Sequence, residues 1–360
     1  MAIPNFSTHD VKSLATRRAI SELVAQEPTS RELLDEVELR LRRVIPFDTG
    51  GWWTSDPETL LPTELWNFDY ASIERELAEE NGTRLEILDS AGRSVAASGR
   101  SELDARALAT DTEGGIASEM RILARSGDKA WGSACLARMG DARPFSPEEI
   151  SFIAGIANEV GFALRADLLR IAIKPTMTTS PSAGVGTVVL SGDDIVEGYT
   201  PDARIWLNEL GVLELSAPLP TALRWISLQA RAHDSLVDGG RQLRPARSRL
   251  ATARGELIVV QAEVLHGTAT PQVVMSFEPA TTKSLFPLLL SLHGLSARER
   301  TVAELIVSGW TLEDVAAHLI LSLYTVRDHV KAIYTKVGVR SRPELTARLG
   351  GSSPALATAA

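Results

Sequence analysis

This 360-residue sequence has little of what secreted, membrane and redox proteins rely on. It has one cysteine, Cys135, so no disulfide can form within the chain. No stretch approaches the ~18 consecutive apolar residues of a membrane-spanning helix, and the N-terminus MAIPNFSTHD lacks the basic and apolar regions of a signal peptide. We therefore expect a cytoplasmic protein without membrane contact. Cys135, in the run AWGSACLAR, is expected to be a buried and inert side chain.

The short motifs of common catalytic chemistry are also absent. There is no G-x-x-x-x-G-K-[ST] loop, no G-x-G-x-x-G after a strand, no G-x-S-x-G elbow and no H-E-x-x-H helix. The six histidines are scattered and lack Cys or carboxylate neighbours at zinc-ligand spacing. We therefore expect no catalytic residues, no metal and no cofactor, and we expect that the protein is not an enzyme. The enzyme alternative would need a clustered polar site in the first 280 residues, and the sequence shows none.

The composition is that of a soluble globular protein, with 44% apolar residues, 23% charged residues and a net charge of −9. Positive charge is concentrated near the C-terminus. Residues 294–350 carry eight Lys or Arg against six Asp or Glu, and residues 327–348 carry six against two. An acidic protein needs such a local excess to approach phosphates, so this region is a candidate for nucleic-acid binding.

Three helix starts follow one another closely in the same region. Ser296 with Glu299 and Thr311 with Asp314 have the spacing of capping boxes, and Ser322 precedes a third helical pattern. Only two residues separate the second predicted helix from the third start, so these two helices must cross at a steep angle. The sequence therefore predicts a helix-turn-helix.

The third predicted helix has two different faces. Val326, Val330 and Ile333 share one face, and Val337 drifts off it. The opposite face carries Tyr324, Asp328, Lys331 and Thr335, with Arg327 on its flank. A helix that is apolar beneath and bears such side chains above can enter a DNA major groove. The alternative is a packing unit whose charged face is only solvated.

These residues resemble the LuxR/GerE-type DNA-binding domain. The matching motifs are L-S-x-R-E-R at 295–300, G-x-T at 309–311, V-A-x-x-L at 315–319, S-x-x-T-V-x-x-H at 322–329 and K-V-G-V-R-S-R at 336–342. The resemblance covers about a sixth of the chain. It implies an all-α, four-helix domain over residues 288–350 that binds double-stranded DNA, often with a dimer contact through the fourth helix.

The resemblance also implies the roles of individual residues. By motif position it places Arg327, Asp328 and Lys331 at base edges, and we add Tyr324 from the polar face of the same helix. It places Thr311, Thr325, His329, Lys336 and Arg340 near the DNA backbone, and we add Ser322 at the helix start. Asp328 departs from the neutral or basic residue that is usual there. A carboxylate repels phosphate but can accept a hydrogen bond from N4 of cytosine, so we expect Asp328 to select bases rather than to add affinity.

Residues 10–172 are predicted to form an α+β domain. Apolar residues at helical spacing between His9 and Arg43 predict two helices, short alternating runs around S-A-G-R and S-G-D-K predict strands, and Ser146 starts a long helix. This order, and above all the run from MRILARSGDK to the F-S-P-E-E helix, resembles a GAF domain over about residues 15–170. Such domains are small-molecule sensors in many regulators and only dimerise in others.

Aromatic residues cluster in this domain, although they make up only 5% of the chain. The candidates for lining an effector pocket are Trp52, Trp53, Trp66, Phe68, Tyr70 and Trp131. An indole brings a large apolar area and one N–H donor, which suits an enclosed ligand site. The alternative is that these side chains fill the core. We favour the core for at least one of Trp52 and Trp53, because neighbours on a strand point to opposite faces.

The predicted helix from Ser146 to Lys174 carries an apolar stripe. Its members are Ile150, Ile153, Ala157, Val160, Leu164, Leu168 and Ile171. The length of the stripe favours dimerisation through a coiled coil, and packing back on the domain's own sheet is the alternative. We expect a homodimer.

Residues 173–184, rich in Thr, Ser and Pro, predict a linker. Residues 185–281 then read as strand, turn, strand, short helices and three antiparallel strands, an α+β order that resembles a PAS domain. Such sensors can hold haem, but His233 and His266 have no supporting pattern for an axial ligand. The tail, residues 351–360, is expected to be disordered.

The expected architecture is therefore multidomain, with two α+β sensory domains and one all-α DNA-binding domain. The expected function is sequence-specific transcription regulation controlled by a small-molecule effector, with RNA polymerase as a further candidate partner. The alternative is a regulator whose sensory half is a protein-interaction and dimerisation module without a ligand.

Overall fold

The computed structural model describes residues 8–66, 116–173, 183–236, 245–267 and 270–350. Phe68, Tyr70, the predicted strands in 83–98, most of the predicted linker and the predicted tail lie outside the described residues. The chain divides into two compact units. The larger unit holds Met1–Ser126, Ala130–Asp167 and Pro175–Pro279, and the smaller unit holds Gly127–Lys129, Leu168–Lys174 and Ala280–Ala360.

The first part of the chain forms an α+β layer. Its elements are α1 (Thr8–Val24), α2 (Ser30–Leu41), β1 (Thr49–Ser55), β2 (Pro62–Trp66), β3 (Ile116–Ser126), β4 (Lys129–Met139) and α3 (Pro147–Ala172). The strands lie in the order β2-β1-β4-β3, and β1 is antiparallel to both β2 and β4. Thr29 and Glu32 form a capping box at α2, the second of the two helices predicted between His9 and Arg43.

Helix α3 packs closely on this sheet. A Cβ added at Gly161 would lie 2.4 Å from the backbone of Arg125, so only glycine allows the helix to come this near to β3. Ile153, Val160 and Leu164 of the apolar stripe are at most 2% exposed. The stripe therefore packs on the domain's own sheet, the second of the two alternatives. The coiled-coil seam favoured by the stripe's length is wrong over this stretch, because its side chains are already buried within the chain.

The second part of the larger unit is another α+β layer. Its elements are β5 (Gly186–Leu190), β6 (Val196–Tyr199), α4 (Pro201–Glu209), α5 (Thr221–Leu236), β7 (Arg247–Ala251), β8 (Leu257–Leu265) and β9 (Gln272–Pro279). The sheet order is β6-β5-β9-β8-β7, with each neighbouring pair antiparallel. One face of the sheet packs on the helices through a core that includes Val188, Trp206, Leu223, Ile258 and Phe277. The predicted order of strands and helices is confirmed.

The remaining elements are helical: α6 (Thr282–Leu292), α7 (Ala297–Val307), α8 (Leu312–Leu319), α9 (Leu323–Val337) and α10 (Arg342–Gly350). Ser296, Thr311 and Ser322 are the N-caps of α7, α8 and α9, so the three predicted helix starts are confirmed. Helix α6 begins six residues before the predicted domain start at 288 and packs on α10. Across the described residues, no helix combines the length and the apolar character needed to cross a bilayer.

Candidate nucleic-acid interface

The face of α9 that points into the helical unit is apolar along its whole length. Val326, Val330, Ile333 and Val337 are all buried, and Val337 is only 3% exposed although its position drifts off the predicted stripe. They pack against α7 and α8. The opposite face of α9 is thereby turned outward and held rigidly.

The outward face carries the residues predicted to read bases. Tyr324 is 75% exposed, and Arg327, Asp328 and Lys331 are also exposed. Their side chains make no hydrogen bond or ion pair with any other described residue. Most other charged side chains of these helices have partners: Arg298 donates to the Leu319 carbonyl, and Arg342 donates to the Ile306 carbonyl at 2.8 Å. The structure thus leaves polar groups of α9 available to an external ligand.

The N-termini of α8 and α9 differ in charge. At α8 the Thr311 hydroxyl donates to the Asp314 carboxylate at 2.6 Å, and Glu313 adds a second negative charge. At α9 the Ser322 hydroxyl accepts from the Thr325 backbone N–H at 3.0 Å, and the first turn has no acidic residue. A phosphate is favoured near the positive end of a helix dipole and disfavoured beside carboxylates, so the acid-free start of α9 suits DNA better than the start of α8.

Lys336, predicted to contact the DNA backbone, already has a partner inside the helical unit. Its Nζ lies 3.0 Å and 2.7 Å from the two carboxylate oxygens of Glu299. Burial alone would raise the pKa of Glu299, but the hydrogen bonds from Lys336 and Ser296 lower it overall. Of the other predicted backbone contacts, Arg340 is exposed and His329 is half-buried. The ion pair links positions 37 residues apart, and no local spacing in the sequence signals it.

The turn between α8 and α9 contains an unpredicted conformation. Ile320 closes α8 with φ 54° and ψ 50°, in the left-handed region, and its side chain is 91% exposed. This conformation is costly for a β-branched residue. The short spacing between the two helices predicted a tight turn, but an isoleucine gave no signal of a left-handed backbone.

The fourth helix uses its apolar face within the chain. Leu345 and Leu349 of α10 are fully buried, and α10 packs against α6 and α7. A dimer contact through α10 would therefore have to use its exposed side chains, such as Glu344 and Arg348.

Two of the predicted pocket residues lie on the helix-facing side of the first sheet. A Cβ added at Gly132 would lie 2.6 Å from Cδ1 of Leu164, so the face that carries Gly132 packs on α3. Thr54 is the cross-strand partner of Gly132. Trp52 lies two residues before Thr54 and is paired with Trp66, so both indoles share this face. They are 0% and 6% exposed, as expected for core residues.

Trp53 and Trp131 lie on the opposite face of that sheet, because side chains alternate along β1 and β4. Trp131 is 2% exposed and its Nε1 donates to the Ser126 carbonyl at 3.2 Å, whereas Trp53 is half-buried. The structure therefore does not bring the four described indoles of the predicted pocket into one group. Trp53 and Trp131 share the sheet face opposite to the one that packs on α3, and β4 is buried on both of its faces.

Comparison with known proteins identifies the helical region. Residues 293–349 match the family model described as bacterial regulatory proteins, luxR family. The spore germination protein GerE of Bacillus subtilis is 38% identical over 55 residues, which are 15% of this chain and 74% of that protein.

Solved structures of VqmA show only a loose overall likeness. A complex of phage VqmA with DPO is 17% identical, with a TM-score of 0.25, and covers 49% of this chain and 87% of that one. A ligand and DNA complex of VqmA from Vibrio cholera is 13% identical, with a TM-score of 0.23, and covers 47% and 86%. At these TM-scores the likeness carries no argument about fold or ligand. The match to GerE and to the family model decides the matter: the chain belongs to the luxR family of bacterial regulatory proteins and is a DNA-binding transcription regulator.

Proposed function

We propose that the protein reads specific DNA sequences by placing α9 in the major groove. The observation that carries this proposal is the exposed set Arg327, Asp328 and Lys331, which has no partner among the described residues and lies on a helix whose other face is clamped by its neighbours. Arg and Lys suit guanine O6 and N7, and Asp suits cytosine N4. Tyr324 adds a large exposed side chain at the start of the same helix.

The contacts to the DNA backbone would come mainly from the residues around α9. Ser322 and Thr325 lie at its acid-free N-terminus, His329 lies one turn further on, and Arg340 follows its C-terminal end. Thr311 and Lys336 are already bonded to carboxylates, so we assign them structural roles first. Two copies of α9 held about one DNA turn (~34 Å) apart in a homodimer would read a near-palindrome.

The experiment that tests this role of α9 compares two single variants, their double variant and a control variant on a selected binding site. Arg327→Ala and Lys331→Ala should each weaken binding by ~1–3 kcal/mol and relax the choice of base nearby. Lys283→Ala removes an equal charge from an exposed site on α6 and should leave base preference unchanged. If footprints of the Arg327 and Lys331 double variant keep their sequence preference, α9 is not the reading element.

We also propose that a small apolar or amphipathic effector controls this binding in the cytoplasm. Trp53 and Trp131 support it, since they share the face of the first sheet that lies opposite α3. An effector acts only if it binds two arrangements of the protein with different affinity. Thermal-shift screening tests the idea: a stabilising molecule whose effect is lost in Trp131→Phe supports it. A comprehensive screen without hits favours the alternative, in which a protein partner controls the α+β unit.

A further inference from the structure

The connection between β1 and β2 contacts the edge of the second sheet. β7 is an edge strand of that sheet, and it is contacted by β2 and by Asp56 and Glu58 of the connection. Asp56 accepts a hydrogen bond from the backbone N–H of Arg249 at 3.1 Å and from its Nη1 at 3.0 Å. The two side chains are 1% and 5% exposed. An edge strand normally leaves such N–H groups open to solvent, and here a carboxylate from the other sheet covers one of them.

The ion pair is fully built rather than incidental. The second guanidinium nitrogen of Arg249 donates to Glu58 at 2.7 Å, and the backbone N–H of Glu58 donates to Asp56 at 2.9 Å. Burial would lower the pKa of Arg249, but the two carboxylates raise it overall, so the guanidinium stays charged. Asp56, Glu58 and Arg249 therefore hold one another in position through these hydrogen bonds.

The same connection also contributes to the apolar core behind β7. Leu61 is 1% exposed and belongs to the core cluster that contains Leu223, Ile226 and Leu250. Arg249 and Leu250 point to opposite faces of the second sheet because they are neighbours on β7. The connection thus contacts both faces of the strand, with an ion pair on one side and a leucine on the other.

Polar atoms make this junction sensitive to small displacements. Around the ion pair, four buried polar atoms have no hydrogen-bond partner among the described residues: Ser55 Oγ, Thr59 Oγ1, Arg247 Nε and Ser248 Oγ. Such atoms are ordinarily satisfied by ordered water. A buried ion pair adds little stability over apolar packing, but separating its partners leaves an uncompensated charge. The junction therefore tolerates one arrangement of the two sheets and strongly disfavours others.

We propose that Asp56 and Arg249 make the two sheets of the larger unit one cooperative block, in which a displacement of β1 is transmitted to β7. Trp53 lies on β1, three residues before Asp56 in the connection that follows the strand. A ligand that moved Trp53 would thus change the second sheet as well; this consequence rests on the proposed effector site, whereas the coupling itself does not.

Hydrogen exchange on the full chain tests the coupling without any ligand. Arg249→Met should reduce amide protection by at least about tenfold in both 49–66 and 247–265, because each sheet then loses the contact through which the other stabilises it. Arg254→Met is the matched control. It removes an exposed arginine that pairs with Glu209 inside the second layer, and it should leave 49–66 unchanged.

Two further variants keep the test decisive if Arg249→Met does not fold. Arg249→Lys retains the charge and should give the same pattern with smaller losses, and Asp56→Asn should reduce protection in 247–265 from the other side of the pair. In any of these variants, a loss of amide protection that is confined to the sheet carrying the substitution would overturn the proposal. Such a result would leave the DNA-binding proposal untouched.

Discussion

Lys336 Nζ lies 2.7 Å from Oε2 of Glu299, so the last turn of α9 is tied to the first turn of α7. The same carboxylate accepts from the Ser296 backbone N–H at 2.6 Å and closes the capping box of α7. The Glu299 side chain thus caps the start of α7 and fixes the position of α9. This arrangement gives Glu299 a measurable effect on stability that depends on pH.

Glu299→Gln should lower the free energy of unfolding at pH 7 by about 1–3 kcal/mol, because a charged hydrogen-bond acceptor is lost. The pKa of Glu299 is lowered in the folded protein from its ordinary value of 4.5. Its contribution is therefore present above pH 4.5 and is lost as the pH falls through the lowered value. Urea unfolding at pH 7 and near pH ~3.5 should show the difference shrinking on acidification. Glu313→Gln, at an exposed carboxylate of α8, is the control; an equal loss at both pH values would contradict the account.

Lys336→Ala should lower stability by a similar amount and weaken DNA binding mainly through the position of α9. Because its charge is already balanced by Glu299, we expect little change in the salt dependence of binding. Arg340→Ala, which removes an exposed charge, should instead lower the slope of log affinity against log salt by about one unit. A one-unit loss for Lys336→Ala with unchanged stability would show that Lys336 is a phosphate contact.

Ile320→Gly should stabilise the helical unit. The left-handed backbone at Ile320 costs roughly 1–2 kcal/mol for a residue with a Cβ, and glycine removes this cost. The greater freedom of glycine in the unfolded chain offsets about 0.5–1 kcal/mol of the gain. We expect a net gain of about 0.5–1 kcal/mol in thermal or urea unfolding. Ile320→Ala retains the Cβ and should gain much less. Equal free energies of unfolding for the two variants would show that the backbone at Ile320 is not strained.

Gly161→Ala should destabilise the larger unit by about 1–3 kcal/mol, since the added Cβ meets the Arg125 backbone at 2.4 Å and backbone cannot move aside. Gly155→Ala on the same helix is the matched control. Its Cβ would lie 3.4 Å from the flexible Arg17 guanidinium, so it should be tolerated or should stabilise α3 through higher helix propensity. Chemical denaturation measures the loss of stability in both variants. A loss in Gly161→Ala alone indicates close packing on β3, whereas equal losses would mean that α3 tolerates no replacement of glycine by alanine.

Asp328→Asn should raise affinity for DNA of any sequence and change the preferred base at one position. The carboxylate repels phosphates and can accept from cytosine N4, whereas an amide is neutral and pairs with adenine. Asp328 is exposed and makes no hydrogen bond or ion pair with the other described residues, so the change should not alter stability. Higher affinity with an unchanged base preference would mean that Asp328 does not reach a base edge.

The sequence predicted best where a local rule decides the structure. The caps at Ser296, Thr311 and Ser322 follow from spacing alone, and so does the alternation that places Trp52 and Trp53 on opposite faces. It also predicted the outward set on α9, because helical periodicity fixes which side chains share a face.

Features that depend on distant contacts were not predictable from the sequence. Arg249 and Asp56 are 193 residues apart, and an arginine on a strand gives no sign of a buried partner. The apolar stripe of α3 has the same spacing whether it faces a second subunit or its own sheet, and only the position of β3 decided it. The left-handed Ile320 is set by the geometry of two helices that cross nearby, against its own preference.

Selection from a randomised oligonucleotide pool at low ionic strength tests the central claim most directly. The purified full chain should enrich a near-palindromic sequence whose half-sites lie about one helical turn (~34 Å) apart, and the enrichment should be lost in the Arg327 and Lys331 double alanine variant. A pool that shows no preference for any sequence after repeated rounds would contradict the account.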